Sequence, residues 1–267
     1  VFGRRPDGTL VRDAPAVRRF MPYISPRRND SLVYFAFDLE VESALHFLEE
    51  RNRERPPEAP ITLFHLILRA IARMLEERPR VNRFVAGGRL WQRDGVWITF
   101  SAKKRLDDDA PITTVKRRID PFEPLDAMVD RLVGGIRESR SDRKSPSDRE
   151  MDLLLRLPAP LVRLAMAAVD GLDALGLLPR AMIEADPMHT SVFVANLGSV
   201  GLEAGYHHLW EHGNCPLFCV VGRVKPGPEG RRVCTLKWTF EERVEDGLYC
   251  ARCIERLAEL VASPEKL

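Results

Sequence analysis

The run Phe240-Glu241-Glu242-Arg243-Val244-Glu245-Asp246-Gly247, about twenty residues from the C-terminus, constrains this chain more than any bulk property. It is one of several ordered segments. Upstream stands Thr190-Ser191-Val192-Phe193-Val194-Ala195-Asn196-Leu197-Gly198-Ser199-Val200-Gly201, a β-rich stretch ending in a glycine turn. Downstream, Cys250–Leu260 reads as a closing helix, followed by Ser263-Pro264-Glu265-Lys266-Leu267. Nearer the N-terminus, Thr62 to Glu77 places Leu63, Leu66, Ile67, Ala70, Ile71 and Leu75 at spacings of three and four, which predicts a helix with one buried stripe. His65 lies off that stripe and is read as a structural or exposed histidine. After the helix comes Arg78-Pro79-Arg80-Val81-Asn82.

These segments resemble, in order, the motifs of the E2 acyltransferase catalytic domains of 2-oxo acid dehydrogenase complexes, relatives of chloramphenicol acetyltransferase. The run at 240–247 is similar to that family's Asp-His-Arg-x-x-Asp-Gly, and 190–201 to its Phe-Thr-Ile-Ser-Asn-Leu-Gly-x-x-Gly. The resemblance implies an α/β fold, a mixed sheet with helices packed on one side, and a homotrimer whose active-site channel runs between subunits. It also implies two departures. The histidine that acts as general base is replaced by Glu242, and the serine or threonine that donates to the oxyanion is replaced by Ala195. Loss of one oxyanion donor typically costs on the order of a hundred- to a thousandfold in rate, and loss of the general base a further large factor.

Around those two positions the resemblance assigns supporting roles. Asp246 matches the acidic or amide residue that ends the motif, Arg243 a salt bridge that sets the loop, and Asn196 the turn after the Ala195 strand. The segment Tyr206-His207-His208-Leu209-Trp210-Glu211-His212 falls where the family builds its channel wall, so His207 or His208 is the candidate for a relocated base, with Glu242 a third. His208 and His212 are four residues apart, but no third ligand accompanies them, and no metal site is expected.

Composition excludes several other classes. A formal net charge of +2 on 30% charged residues gives a mixed-sign surface with no nucleic-acid signature. Five cysteines without a signal peptide read as reduced thiols in a cytoplasmic protein. Cys250 and Cys253 are expected to pack as small hydrophobes, and Cys215 and Cys219 to alternate onto one face of the strand from Cys215 to Gly222.

The expected organisation is an N-terminal arm over residues 1–30, outside the core, then an acyltransferase-like domain over 31–267. Leu32–Val41 reads as the first long strand. Arg89–Gln92 and Val96–Ala102 are expected to pair through a tight hairpin at Arg93-Asp94-Gly95. Another strand covers Pro111–Arg117, a helix covers Pro124 to Ser139, and a polar link runs from Ser139 to Arg149. Met151 to Pro187 is expected to be a helical insertion of roughly thirty residues, too interrupted to provide the ~20 apolar residues a membrane span needs. Neither a lipoyl nor a peripheral-subunit-binding domain precedes the fold, so a complete E2 with its own swinging arm is not expected.

The functional expectation is a non-catalytic oligomeric scaffold, shell or binding protein built on an acyltransferase fold. Its partners would be other copies of itself, as a trimer or a larger cage, and an unidentified protein or cargo. The alternative is an active acyltransferase with coenzyme A as its cofactor.

Overall fold

The structure is a computed structural model that describes residues 3–103, 112–140 and 154–267. Strands β1 (Arg4–Arg5) and β2 (Gly8–Leu10) lead into helix α1 (Ala16–Ile24). Strand β3 (Leu32–Glu40) is followed by helices α2 (Glu42–Asn52) and α3 (Leu63–Glu77). Next come β4 (Arg83–Ala86), β5 (Arg89–Arg93), β6 (Val96–Lys103), β7 (Ile112–Ile119) and α4 (Leu125–Arg140). The chain closes with α5 (Ala159–Ala174), α6 (Arg180–Ala185), β8 (Val192–Asn196), β9 (Leu217–Pro226), β10 (Arg232–Glu241) and α7 (Gly247–Ala262). The expected polar link over 141–149, and Met151 to Leu153, lie outside the described residues.

Six strands form the main sheet in the order β3-β10-β9-β8-β6-β7. The contacts of β8 with β6 and with β9 are parallel and the rest antiparallel, so the sheet is mixed, as expected. Side chains alternate across it. Leu217, Cys219 and Val221 of β9 and Cys234, Leu236, Trp238 and Phe240 of β10 face the helices and join the main core. Helix α3 is buried over most of its circumference, including Leu68, Ala72 and Met74 beyond the expected stripe, because α2, α4 and α7 all pack against it. His65 proves structural and buried. Its Nδ1 accepts from the Thr62 N–H at 3.2 Å, and its own N–H donates to the Thr62 hydroxyl at 3.4 Å, which closes the helix N-terminus. Burial, reinforced by Arg55, pushes His65 down to about 4, so the ring enters the fold neutral.

The opposite sheet face is covered differently. Phe193, Phe218 and Val220 pack there with Ala204, Leu209 and Cys215, all from the chain between Asn196 and Leu217. Cys215 and Cys219 therefore lie on opposite sides of the sheet, contrary to expectation. Pro216 precedes the first residue of β9, so Cys215 is outside the pleat and strand alternation does not reach it. All five cysteines are buried free thiols.

A second, four-stranded sheet runs β1-β2-β5-β4. The expected hairpin at Arg93-Asp94-Gly95 does not form: β5 pairs with β2 and β4, while β6 pairs with β7 and β8 in the other sheet. Gly95, at φ +75°, instead turns the chain from one sheet to the other, and the Asn82 amide holds its carbonyl at 2.9 Å. The true hairpin joins β4 to β5 through Gly87-Gly88, both at positive φ, the backbone of a type I′ turn. Gly87 has a second reason to be glycine: a Cβ there would lie 2.1 Å from the Ala174 carbonyl oxygen.

The first 30 residues do more than an arm outside the core would. Strands β1 and β2 extend the small sheet, Val11 and Ala14 are buried with Val85, Leu90 and Val244, and Arg5 and Arg28 are buried charges. Within the described residues no helix is long and apolar enough to cross a membrane.

Candidate functional site

The end of β10 and the loop after it bury most of their residues and expose two. Glu241, Arg243, Val244 and Glu245 are buried, whereas Glu242 and Asp246 are exposed. Glu241 is fully buried and lies between two guanidinium groups, with Arg28 Nε donating to one oxygen at 2.9 Å and Arg243 Nε to the other at 2.7 Å. Arg28 also donates to the carbonyls of Trp210, Glu211 and Gly213, and Arg243 to those of Ser25 and Pro26. Glu245 faces Arg80 at 3.1 Å, with Arg83 and Arg18 near 4 Å. Arg243 thus sets the loop through a buried ion pair. A buried pair of this kind holds only when its remaining donors and acceptors are satisfied, as they are here.

Glu242 contributes to the loop through its backbone. Its N–H donates to the Ser31 carbonyl at 2.8 Å and its carbonyl accepts from Arg18, while its carboxylate makes no hydrogen bond or ion pair among the described residues. Asp246 caps α7, accepting from the Tyr249 N–H at 2.9 Å, and that bond holds its carboxyl below the usual range. Its role in this chain is a helix cap.

Ala195 and Asn196 end β8. Ala195 lies partly buried against the aromatic face, in the row Ala195–Val220–Lys237–Ala36. Asn196 shapes the turn, with its side-chain oxygen accepting from the Ser199 N–H at 3.1 Å and its carbonyl from the Ser199 hydroxyl at 2.7 Å. Glu241 pairs with Leu32 four residues along β10 from Lys237, so Ala195 and the Glu242 loop are separated by roughly 13 Å along the strands and two strand spacings across them. Within one chain they do not form a single site.

His207 stacks on Phe218 at 4.1 Å and on His208 at 4.8 Å, and contacts Trp210 at 5.2 Å. Its Nδ1–H donates to the His208 carbonyl at 2.7 Å, and the His208 Nδ1–H to the Leu209 carbonyl at the same distance. These bonds fix the tautomer and lock both rings into an aromatic stack with Phe193 and Trp210.

The third histidine of that segment belongs to a different cluster. His212 donates through Nδ1 to Asp170 at 2.7 Å and through Nε2 to Asp186 at 2.9 Å. His189 bonds Asp186 at 2.8 Å and Asp173 at 3.2 Å, and Arg5 reaches the Asp173 carboxylate and carbonyl. The hydrogen bond to Asp186, opposed by burial and joined by Asp170, raises His212 to about 9. Burial opposes His189 as well, yet Asp173 and Asp186 raise it, and the two imidazoliums hold Asp186 far below the carboxylate range. Asp170 and Asp173 lie on α5, so this cluster fastens the expected insertion to the core. No group of residues suited to a metal ion occurs among the described residues. Arg28 and Asp173 carry no sequence signal beyond residue type, because Arg28 meets Glu241 and Asp173 meets Arg5 from far along the chain.

No family model matches the chain, and no curated protein matches it. Solved structures do. The chain is similar to a dihydrolipoamide acetyltransferase of Azotobacter vinelandii whose catalytic mechanism has been probed at a serine, a histidine and, four residues on, an asparagine; identity is 16%, TM-score 0.62, covering 95% of this chain and 92% of that one. It is similar to the truncated catalytic core of a 2-oxoacid dehydrogenase multienzyme complex from Thermoplasma acidophilum at 13% identity and TM-score 0.61, covering 95% and 98%. A chloramphenicol acetyltransferase gives 13%, 0.61, 95% and 99%. The fold is that of the E2 catalytic cores and chloramphenicol acetyltransferase, as the sequence motifs implied.

Proposed function

We propose that this protein is an oligomeric scaffold, shell or binding protein that uses an acyltransferase fold without the acyl-transfer chemistry. One observation carries the reading: the motif loop keeps its buried ion pairs, whereas the exposed Glu242 and the Ala195 methyl offer neither an imidazole base nor a hydroxyl donor. Glu242 and Asp246 have the same four-residue spacing as the histidine and asparagine probed in the Azotobacter enzyme. Acting as a trimer or larger cage, the protein would follow the relatives that form the cores of multienzyme complexes, one of them cubic.

The test is an assay of acetyl transfer from acetyl-CoA to dihydrolipoamide and to chloramphenicol. No turnover above the uncatalysed rate is expected from the natural protein. The double variant Glu242→His with Ala195→Ser is expected to give measurable turnover, because the loop that must carry the imidazole is intact. Robust turnover by the natural protein, abolished by His207→Ala or His208→Ala, would replace this reading with an active acyltransferase.

A further inference from the structure

A cleft of about 60 Å³ opens on the side of the main sheet away from α3, where α6 crosses the ends of β5, β6 and β7. Its floor is Arg93, only 4% exposed, whose buried Nε has no acceptor among the described residues. The other end of the same guanidinium donates to Asn214, to its carbonyl at 2.9 Å and its side-chain oxygen at 2.8 Å. Native proteins seldom leave a buried donor unpaired, since one without a partner typically costs about 1–3 kcal/mol. Beside it lies Lys116, which donates to the carbonyls of Ile183 and Asp186 and sits 5.0 Å over the Trp97 ring. Arg118 lines the mouth without an ion pair among the described residues.

The charges around the cleft do not cancel. Asp7 is taken up by Arg5 and Asn214, and Glu184 by Arg180. Asp7 also acts on Arg93, and Asp186, Asp7 and Glu184 act on Lys116, but each of these carboxylates is shared with a cation of its own, so Arg93, Lys116 and Arg118 keep an excess of positive charge in a recess that is partly desolvated. Burial, with Arg93 as neighbour, lowers Lys116 to about 8, a strain that an anion would relieve. Size selects among anions. A single water needs about 10–15 Å³ in the same measure, so the enclosed space takes a group of about five heavy atoms, the size of one phosphoryl or sulfuryl group.

We propose that this cleft binds a tetrahedral oxyanion, free phosphate or sulfate or the phosphoryl end of a small ester, with Arg93 Nε as the buried donor and Lys116 and Arg118 completing the cradle. The inference is independent of whether the protein transfers acyl groups. Because α6 supplies one wall and the sheet the other, occupancy would also hold α6 in place.

Isothermal titration of the full chain with inorganic phosphate, sulfate and phenyl phosphate at constant ionic strength tests it. Saturable binding of one equivalent per chain is expected, weakened at least tenfold in Arg118→Gln and in Arg93→Lys, which removes the Nε donor while retaining the charge. Arg118→Gln is exposed and expected to stay folded, so it carries the test if Arg93→Lys does not fold. Phosphate and sulfate binding without phenyl phosphate identifies a free-ion site; equal or tighter binding of the ester identifies a phosphoryl pocket. No saturable heat with any of the three, or affinity unchanged in Arg118→Gln, would overturn the proposal.

Discussion

Glu241 and Glu242 are neighbours of one type with opposite situations. The first is fully buried between Arg28 and Arg243, and the second is exposed. Replacing Glu241 with Gln would leave two guanidinium groups facing a neutral amide, and removing one partner of a buried ion pair typically costs about 3–5 kcal/mol. Urea unfolding of Glu241→Gln is expected to show a loss of that size, and Glu242→Gln one within about 0.5 kcal/mol of zero, as at other exposed positions. Equal midpoints for the two variants would remove the structural role given to the loop. The motif makes Glu241, Glu242 and Arg243 legible in the sequence, but not Arg28, the second partner of Glu241, which is 213 positions away. Cys215 departs from expectation for a related reason: alternation predicts a face only inside a strand, and β9 begins at Leu217, two residues too late to include it. The turn from Arg93 to Gly95 behaves in the same way, since Asp94-Gly95 has the chemistry of a tight hairpin but Asn82 directs it between sheets.

At the scale of elements, two histidines tie secondary structure together through opposite protonation states. His65 caps α3 as a neutral ring, with a folded value of about 4 below the ordinary 6.5, so the unfolded chain binds more protons between those values and stability rises with pH across them. His212 links α5 to the core as a cation, with a folded value of about 9 above 6.5, so its contribution is complete below 6.5 and is lost as pH rises through 9. Stability is therefore expected to peak near pH 6.5, the ordinary value that separates the two windows. Denaturant midpoints measured from about pH 4 to about pH 8, below the range where the lowered Lys116 acts in the opposite sense, should fall on both sides, with the acid limb flattened in His65→Gln and the alkaline limb in His212→Gln. A profile of His212→Gln that superimposes on the natural one on the alkaline side would show that His212 does not couple α5 to the core. The α3 helix is legible because six apolar positions at helical spacing leave little else for it to be. The His–Asp cluster is not, because Asp170, Asp173, Asp186, His189 and His212 meet only after α5 folds back.

At the scale of the whole molecule, two helices present apolar side chains that stay exposed among the described residues. On α1, Val17, Phe20, Tyr23 and Ile24 are each more than half exposed, at spacings that share a helix face. On α5, Leu161 and Leu164 are 49% and 67% exposed, and Asp173 is the helix's one buried residue. Monomeric proteins rarely expose contiguous apolar patches larger than a few hundred Å², and obligate oligomers bury about 2,000 Å² or more per interface. The proposed oligomer would cover these faces with a second copy of the chain. The mass in solution is accordingly expected to be three chains or a multiple of three. Phe20→Glu and Leu164→Glu change exposed side chains, so each should leave the circular dichroism spectrum and the pH of maximum stability intact while lowering the mass of the assembly. Light scattering that reports a stable monomer at micromolar concentration would remove both the trimer and the cage. An unchanged trimer in both variants would keep the assembly but move its contact away from α1 and α5.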